Sequence, residues 1–408
     1  MKLTINNIGK LRNAEVVIDG ITVITGENNT GKSTVGKILW SIFDSFYNLD
    51  KIILNKKEEE VKRILSEENI FSNKELEHFV KKIMDNKQLD DLEKNSKLSK
   101  KNSKLSKKNF DSIKRKIEKT LLDDESGKEK IILMNLKEEF GSRIKNIFMK
   151  NEKAKILLKI KNDKINIEMT SDDKIKILDS FVINEQVPFI DNPYILDELG
   201  VLYSVTDYEK NHRNALKKYL KKEKIDNIYT QKNIEEELNM ILKSLNDIID
   251  GELKIDEWME ELFYIQNYTE EELDIKSIST GIKTFAIIKI LLQNGTLKKY
   301  GTIILDEPEI HLHPEWQLKF AELIVLLQKE FGMHILLTTH SPYFVSAIEV
   351  FSEKYKVDDK CKYYVAENNG NSSVIRDITG NTREIYKKMA RPLQDLENIR
   401  YDSDFDEE

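Results

Sequence analysis

ITVITGENNTGKSTVGKILW, residues 21–40, passes from an apolar strand pattern through a glycine-bounded loop into a helical pattern. Its centre, Gly26-Glu27-Asn28-Asn29-Thr30-Gly31-Lys32-Ser33-Thr34, fits G-x-x-x-x-G-K-[ST] between a strand and a helix, the context that this motif's chemistry requires. Gly26 and Gly31 let the backbone curl so that its N–H groups point inward at phosphate oxygens, at the positive end of the following helix. Lys32 offers a charge to β- and γ-phosphates, and the Ser33 hydroxyl can complete a Mg²⁺ shell shared with phosphate and water. Upstream, residues 2–25 alternate apolar and polar and break at Asn-Ile-Gly and Asp-Gly, which predicts two or three short strands.

Working outward, the next informative region follows Ser279. There TFAIIKILLQ, TIILDEP, WQLKFAELIVLLQKEF and HILLTTH alternate helix, strand, helix, strand. Such alternation predicts an α/β fold, a mostly parallel sheet covered by helices with right-handed crossovers. Ligands gather at the carboxyl edge of such a sheet, where the buried-strand pattern Ile303-Ile304-Leu305 ends in Asp306 and Glu307. Asp306 is expected to orient the Mg²⁺ shell, and Glu307 to polarise an attacking water as general base. His340, ending the second apolar strand, is placed to sense a γ-phosphate. His311 and His313 suggest a metal site, but no cysteine or third histidine stands at ligand spacing. Around the helix-starting Pro314 they fit a partner-subunit contact better.

The middle of the chain reads differently. Residues 55–150 are rich in Lys and Glu, with Leu or Ile at three- and four-residue intervals, as in exposed helices of an insertion. NSKLSKK occurs in tandem at 95–101 and 102–108, too polar to bury a core; it reads as a solvated loop or frayed helix rather than a basic arm on a phosphate backbone. Residues 155–184 return to β-type alternation, a smaller antiparallel layer on the core, and 194–262 read as helical. The expected organisation is a core split between 1–54 and 269–395, a charged helical insertion at 55–150, β-layer strands at 151–193, a second helical insertion at 194–268 and an acidic tail at 396–408.

A chain of 408 residues exceeds what one core usually organises, which agrees with insertions. Its net charge of −7 argues against a protein that is basic all over, leaving only a local basic stripe to meet nucleic acid. The single cysteine, Cys361, cannot form an intramolecular disulfide and reads as an inert strand residue. With no apolar leader and no long uncharged apolar run, the expectation is a cytoplasmic protein without a membrane span.

Four motifs, GENNTGKST, SISTGIK, LDEPEIHLHPEWQ and LLTTHSP, stand in an order that resembles the ABC-type ATPases of the overcoming-lysogeny-defect-like and SMC-like clan. The resemblance covers about residues 1–50 and 270–395, and the middle only loosely. It implies ATP and Mg²⁺ as ligands, with nucleotide contacts along Gly26 to Thr34. It further implies a homodimer, or higher homo-oligomer, whose signature segment reaches the partner's γ-phosphate; here Ser279, Gly281 and Lys283 match. Thr280 and Ile282 depart from the transporter-type L-S-G-G-Q, which puts a transporter role in doubt, and Ser279 also suits a plain helix N-cap. A glutamine touching Mg²⁺ or water is implied too, with Gln186 the nearest match, and His313 stands where transporter-type relatives place an aspartate. The residues after His340 are too few for the Toprim nuclease that many overcoming-lysogeny-defect proteins carry. Asp402, Asp404 and Asp406 fall in an acidic run expected to be disordered. The resemblance points to bacterial anti-phage defence with a separately encoded effector, such as the HNH nuclease of Septu-like systems. The alternatives are an SMC-like ATPase that contacts DNA in repair or maintenance, and the ATP subunit of a transporter.

Overall fold

A computed structural model describes residues 1–67, 73–86, 107–122, 125–141, 143–149, 151–170, 172, 174–199, 211–222, 241, 243, 245, 249, 251–255, 262–267 and 271–405. Three strands, β1 (Lys2–Ile8), β2 (Leu11–Val17) and β3 (Ile21–Gly26), precede helix α1 (Lys32–Phe46). Four helices follow: α2 (Leu49–Glu67), α3 (Asn73–Asn86), α4 (Lys107–Leu122) and α5 (Glu125–Phe140). Next come β4 (Ala154–Ile160), β5 (Asp163–Met169), β6 (Ile175–Asp179), β7 (Phe189–Ile190) and α6 (His212–Leu220). A small antiparallel sheet of β8 (Gly251–Ile255), β9 (Leu262–Gln266) and β10 (Glu272–Asp274) leads to α7 (Thr280–Gln293). The chain closes with β11 (Thr302–Asp306), α8 (Pro314–Phe331), β12 (His334–Thr339), α9 (Pro342–Tyr355), β13 (Cys361–Asn369), β14 (Ser372–Asp377) and α10 (Arg383–Phe405).

The described residues divide into two compact units, one of Met1–Asp44, Met134–Phe181 and Glu185–Glu408, the other of Ser45–Leu133 and Val182–Asn184. In the first, the main sheet runs β6-β5-β4-β1-β2-β14-β13-β3-β12-β11-β7. Its parallel core is β13-β3-β12-β11-β7; β1, β4, β5 and β6 extend the same sheet antiparallel from β2. This is an α/β P-loop core whose sheet is parallel around β3 and antiparallel toward β6, with flanking helices. β3 lies between two parallel neighbours and buries its first five residues, which is why ITVIT carries an apolar run with little alternation.

Register makes the site. Thr25 pairs with Thr339, Asp306 with Thr338, and Gly26 with Ala366, so the carboxyl ends of β3, β11, β12 and the adjoining part of β13 share one edge. Behind that edge α7 buries ten residues, and Phe285 meets Phe320 edge-to-face at 5.2 Å. In the second unit, Val61, Ile64 and Leu65 of α2 pack with Val80 and Ile83 of α3 and with Ile113 and Ile117 of α4. On each of these three helices the buried residues stand three or four apart, or adjacent, as one apolar face requires.

Two expectations change. Residues 251–255 and 262–266 are strands, not the end of a helical insertion: Gly251 to Ile255 pair in antiparallel register with Gln266 to Leu262, burying Tyr264. The acidic run at the chain's end is helical as far as Phe405, with Asp402 and Asp404 inside α10. Ile385, Leu396 and Ile399 recur near multiples of the helical turn, a pattern that the neighbouring charges mask. Asp406 and most of the NSKLSKK repeat lie outside the described residues. Cys361 opens β13, buried, and desolvation pushes its thiol up to about 11, consistent with an inert residue. Among the described residues no helix is long and apolar enough to cross a membrane.

Candidate functional site

The loop between β3 and α1 holds its shape through two glycines that no other residue can replace in place. Gly26 takes φ +144°, and a Cβ there would stand 2.3 Å from the Ala366 carbonyl oxygen; Gly31 takes φ +86°, with Leu11 2.9 Å from its would-be Cβ. Asn29 also adopts positive φ, and the Thr30 hydroxyl donates to the Glu27 carbonyl at 2.7 Å, closing the curl. Glu27, Asn28 and Asn29 are exposed, whereas Thr30 and Lys32 are buried. Ser33 and Thr34 stand in the first turn of α1, half-buried.

Lys32 reaches back over the loop. Its Nζ donates to the carbonyls of Gly26 (3.2 Å) and Glu27 (3.0 Å) and lies 2.6 Å from His340 Nε2. Burial lowers its pKa, while Glu307, Asp306 and Glu309 pull the other way, so one ammonium group lies in the field of three carboxylates.

Glu307 sits at φ +51°, an unusual conformation for a side chain of its size. Its N–H donates to the Thr338 carbonyl (3.1 Å) and hydroxyl (3.2 Å), and its Oε1 lies 2.8 Å from His340 Nε2. The Thr338 hydroxyl in turn donates to Asp306 Oδ1. Burial, then the Lys32 charge, lower the His340 pKa against the opposing pull of Glu307 and Asp306, which favours the neutral ring. A single imidazole nitrogen then either accepts from Lys32 or donates to Glu307, and His340 occupies the branch point between cation and base.

The arrangement suits Mg²⁺. Ser33 and Asp306 supply hard oxygen donors at the loop and the strand end, and among the described residues no cluster of His, Cys, Asp or Glu could hold a metal by itself. Phosphate oxygens and water could complete such a shell, as they do for Mg²⁺ in nucleotide sites.

Gln186 is not brought to this edge. Its neighbour Glu185 accepts from the Thr302 N–H at 2.5 Å, at the amino end of β11, and Phe189 pairs with Ile304. Asp306 is four residues further along the strand, about 13 Å away at strand rise. The register carries Asp191 toward the Asp306 end instead, where Arg213 holds its carboxylate at 2.8 Å.

In the signature segment, exposed Ser279 caps α7, its hydroxyl accepting from the Ile282 N–H at 3.4 Å. Gly281 lies against Trp316, where a Cβ would come within 2.7 Å of the ring. Lys283 points inward: it is buried, paired with Asp197 at 2.7 Å and 5.4 Å from the centre of the Tyr194 ring. Tyr194 also meets His311 edge-on at 5.5 Å, and its hydroxyl accepts from Thr280 at 3.2 Å. His313 is exposed at the N-cap of α8, without a capping bond.

Three residues escaped the sequence reading. Thr338 and Thr339 orient Asp306 and the segment after β12, and Glu309, buried, bonds to Thr339 and to the His340 N–H. The signal was present: a Thr-Thr pair immediately before the strand-end histidine and a third acid two positions beyond the first pair.

Several known proteins share stretches of this chain. It is 28% identical over 103 residues to "Retron Vc95 probable ATPase" of Vibrio cholerae serotype O1 biovar El Tor, covering 22% of this chain and 19% of that protein. To the "OLD nuclease" of Thermus scotoductus it is 32% identical over 80 residues, 19% of this chain and 15% of that protein. To the "Septu protein PtuA" of Bacillus thuringiensis it is 45% identical over 51 residues, 12% of each. The chain thus matches no more than 19% of the length of any of the three. Among solved structures, an SMC head bound to the C-winged helix domain of ScpA aligns over 92% of this chain and 96% of that one, at 12% identity and a TM-score of 0.44. Over residues 21–346, which include the phosphate loop, the acidic pair and His340, the chain matches and belongs to the ATPase family described as "AAA domain, putative AbiEii toxin, Type IV TA system".

Proposed function

We propose that the chain binds MgATP on the Gly26–Thr34 loop and hydrolyses it with Glu307 as general base. The observation that carries this reading is the convergence of Lys32, Glu307 and His340, with His340 Nε2 2.6 Å from Lys32 and 2.8 Å from Glu307. Lys32 neutralises charge on the β- and γ-phosphates as it builds in the transition state. The Glu307 carboxylate takes a proton from water while the water oxygen attacks phosphorus and the bond to the β,γ-bridging oxygen breaks, releasing ADP. His340, neutral, hydrogen-bonds a γ-phosphate oxygen. Ser33 and Asp306 would hold Mg²⁺, which would supply charge neutralisation on the phosphates.

In this proposal two copies close around two ATP molecules, each bound by one copy's loop and covered by Ser279 and Gly281 of the other. Only γ-phosphate contacts made in the closed state can drive the closure, because a ligand shifts an equilibrium solely by its differential affinity. The names of the retron, OLD and Septu relatives support a place in anti-phage defence, with a separately encoded effector, such as a nuclease, under the control of the closed state.

Glu307→Gln tests both parts. Calorimetry should show MgATP binding retained, phosphate release should fall by at least about a hundredfold, and light scattering should show the mass doubling with ATP. Lys32→Ala should bind no ATP. An intact protein that takes up no MgATP overturns the enzymatic reading; an unchanged mass overturns the closed dimer alone.

A further inference from the structure

We propose that Glu309 is the positioning residue of the switch histidine. It fixes the backbone of His340 while Glu307, two residues earlier in the same loop, engages the imidazole. The inference rests on the ATP-hydrolysis reading and adds to it the group that sets the histidine's place.

The geometry is specific. Glu309 is 3% exposed, and one oxygen, Oε1, accepts from both the Thr339 hydroxyl and the His340 N–H, the latter at 3.2 Å. The Thr339 hydroxyl also accepts from the Ser341 N–H at 3.0 Å. Residues 339, 340 and 341, the last residue of β12 and the two that follow it, are therefore tied in sequence to one carboxylate. The loop carrying that carboxylate is itself braced: the Leu312 N–H donates to the Glu309 carbonyl at 3.0 Å, and the Gln317 amide donates to the Leu312 carbonyl at 3.1 Å. Any displacement of the loop bearing the general base must move the histidine with it.

Energetics points the same way. The second oxygen, Oε2, is buried with no hydrogen-bond partner among the described residues. Burial raises the pKa of the group, as expected for a carboxyl held out of water. A buried acid that leaves one oxygen unsatisfied costs the fold stability relative to an apolar side chain. Its contribution therefore lies in where it holds His340.

The test uses the full chain and two readouts. With Glu309→Ala, kcat for ATP should fall by about ten- to a hundredfold while KM stays within about threefold, since misplacing a catalytic group weakens the transition state more than substrate binding. Glu309→Gln keeps an oxygen at the Oε1 position and should restore most of the rate. Independently of activity, the His340 amide is followed by NMR with [15N]histidine label and assigned by its loss in His340→Gln. Its hydrogen exchange should accelerate by about tenfold in Glu309→Ala and return in Glu309→Gln. If Glu309→Ala does not fold, Thr339→Val takes its place and should move both readouts in the same direction. Wild-type kcat and wild-type exchange in a folded Glu309→Ala or Thr339→Val protein overturn the proposal, as does a Glu309→Gln protein as impaired as Glu309→Ala. A wild-type protein that turns over no ATP removes the hydrolysis reading, and the amide exchange still decides whether Glu309 holds His340.

Discussion

At the scale of single residues, His212 shows how a buried charge can be kept. It is buried with Nδ1 2.8 Å from Glu139 and Nε2 3.1 Å from Asp191, while Lys37 of α1 approaches Glu139 at 3.4 Å and Phe189 stacks on the ring at 4.3 Å. Burial opposes its protonation, but hydrogen bonds and charge from Asp191 and Glu139 prevail and raise the pKa. Asp191 moves in the other direction: burial again opposes the charge, yet His212 and Arg213 bring it down to about 2. The sign of the pH dependence follows. A histidine raised above its unfolded value of about 6.5 contributes stability that is complete below that pH and is lost as pH rises through the folded value. An aspartate lowered from about 3.9 contributes stability present above that value and lost as pH falls toward its folded one. Urea unfolding of the wild type should therefore show stability falling between neutral and alkaline pH. In His212→Gln that decline should be smaller by the histidine's share, since raised acids such as Cys361 still contribute at alkaline pH, and stability at pH 6 should drop by about 3 kcal/mol, the cost of breaking a buried pair. Equal pH slopes in the two proteins would count against the charged network.

Among the elements, the turn from β3 into α1 is the least tolerant of change. Gly26→Ala would bring a methyl group to the Ala366 carbonyl across the β3–β13 pair at a φ unsuited to alanine, and should cost about 2 kcal/mol or more along with MgATP binding. Gly127→Ala in α5, with nothing within 4 Å of its would-be Cβ, should leave stability unchanged or raise it by up to about 1 kcal/mol. Comparing the two denaturation midpoints separates contact from composition. The same elements mark how far sequence alone could lead. Strands β3, β11 and β12 were legible because a strand covered on both faces must carry an apolar run, and the residues of the candidate site stand at the ends of those runs. Gln186 misled because a motif gives order along the chain and not register: Phe189 opposite Ile304 is what places it at the wrong end of β11. The strands at 251–255 and 262–266 were hidden because short strands amid charged residues lack enough alternation to stand out from helix. Glu309 was quoted within its motif without a role, since its meaning depends on Thr339 and His340, some thirty positions away in the chain.

For the whole molecule, the decisive question is whether each ATP is shared by two copies. Ser279 and Gly281 lie at the start of α7, and Lys283, which the resemblance also assigns to the partner's nucleotide, is held inside its own chain by Asp197. In the proposed closed dimer, cross-chain contact would therefore rest on the exposed Ser279 cap and the backbone that follows it, a narrower surface than the motif suggests. Complementation tests this directly. Lys32→Ala removes the loop's cation, and Ser279→Arg places a long side chain on the covering surface, so neither protein alone should release phosphate. In a two-fold dimer of the mixed chains, one site combines an intact Lys32 from one copy with an intact Ser279 from the other, while the second site carries both lesions. Random exchange of equal amounts makes half the dimers mixed, so phosphate release should recover to about a quarter of the wild-type rate. It should peak at equal proportions. A mixture as inactive as its parents at every ratio, with light scattering showing that the chains do exchange, would mean that each ATP is handled within a single copy.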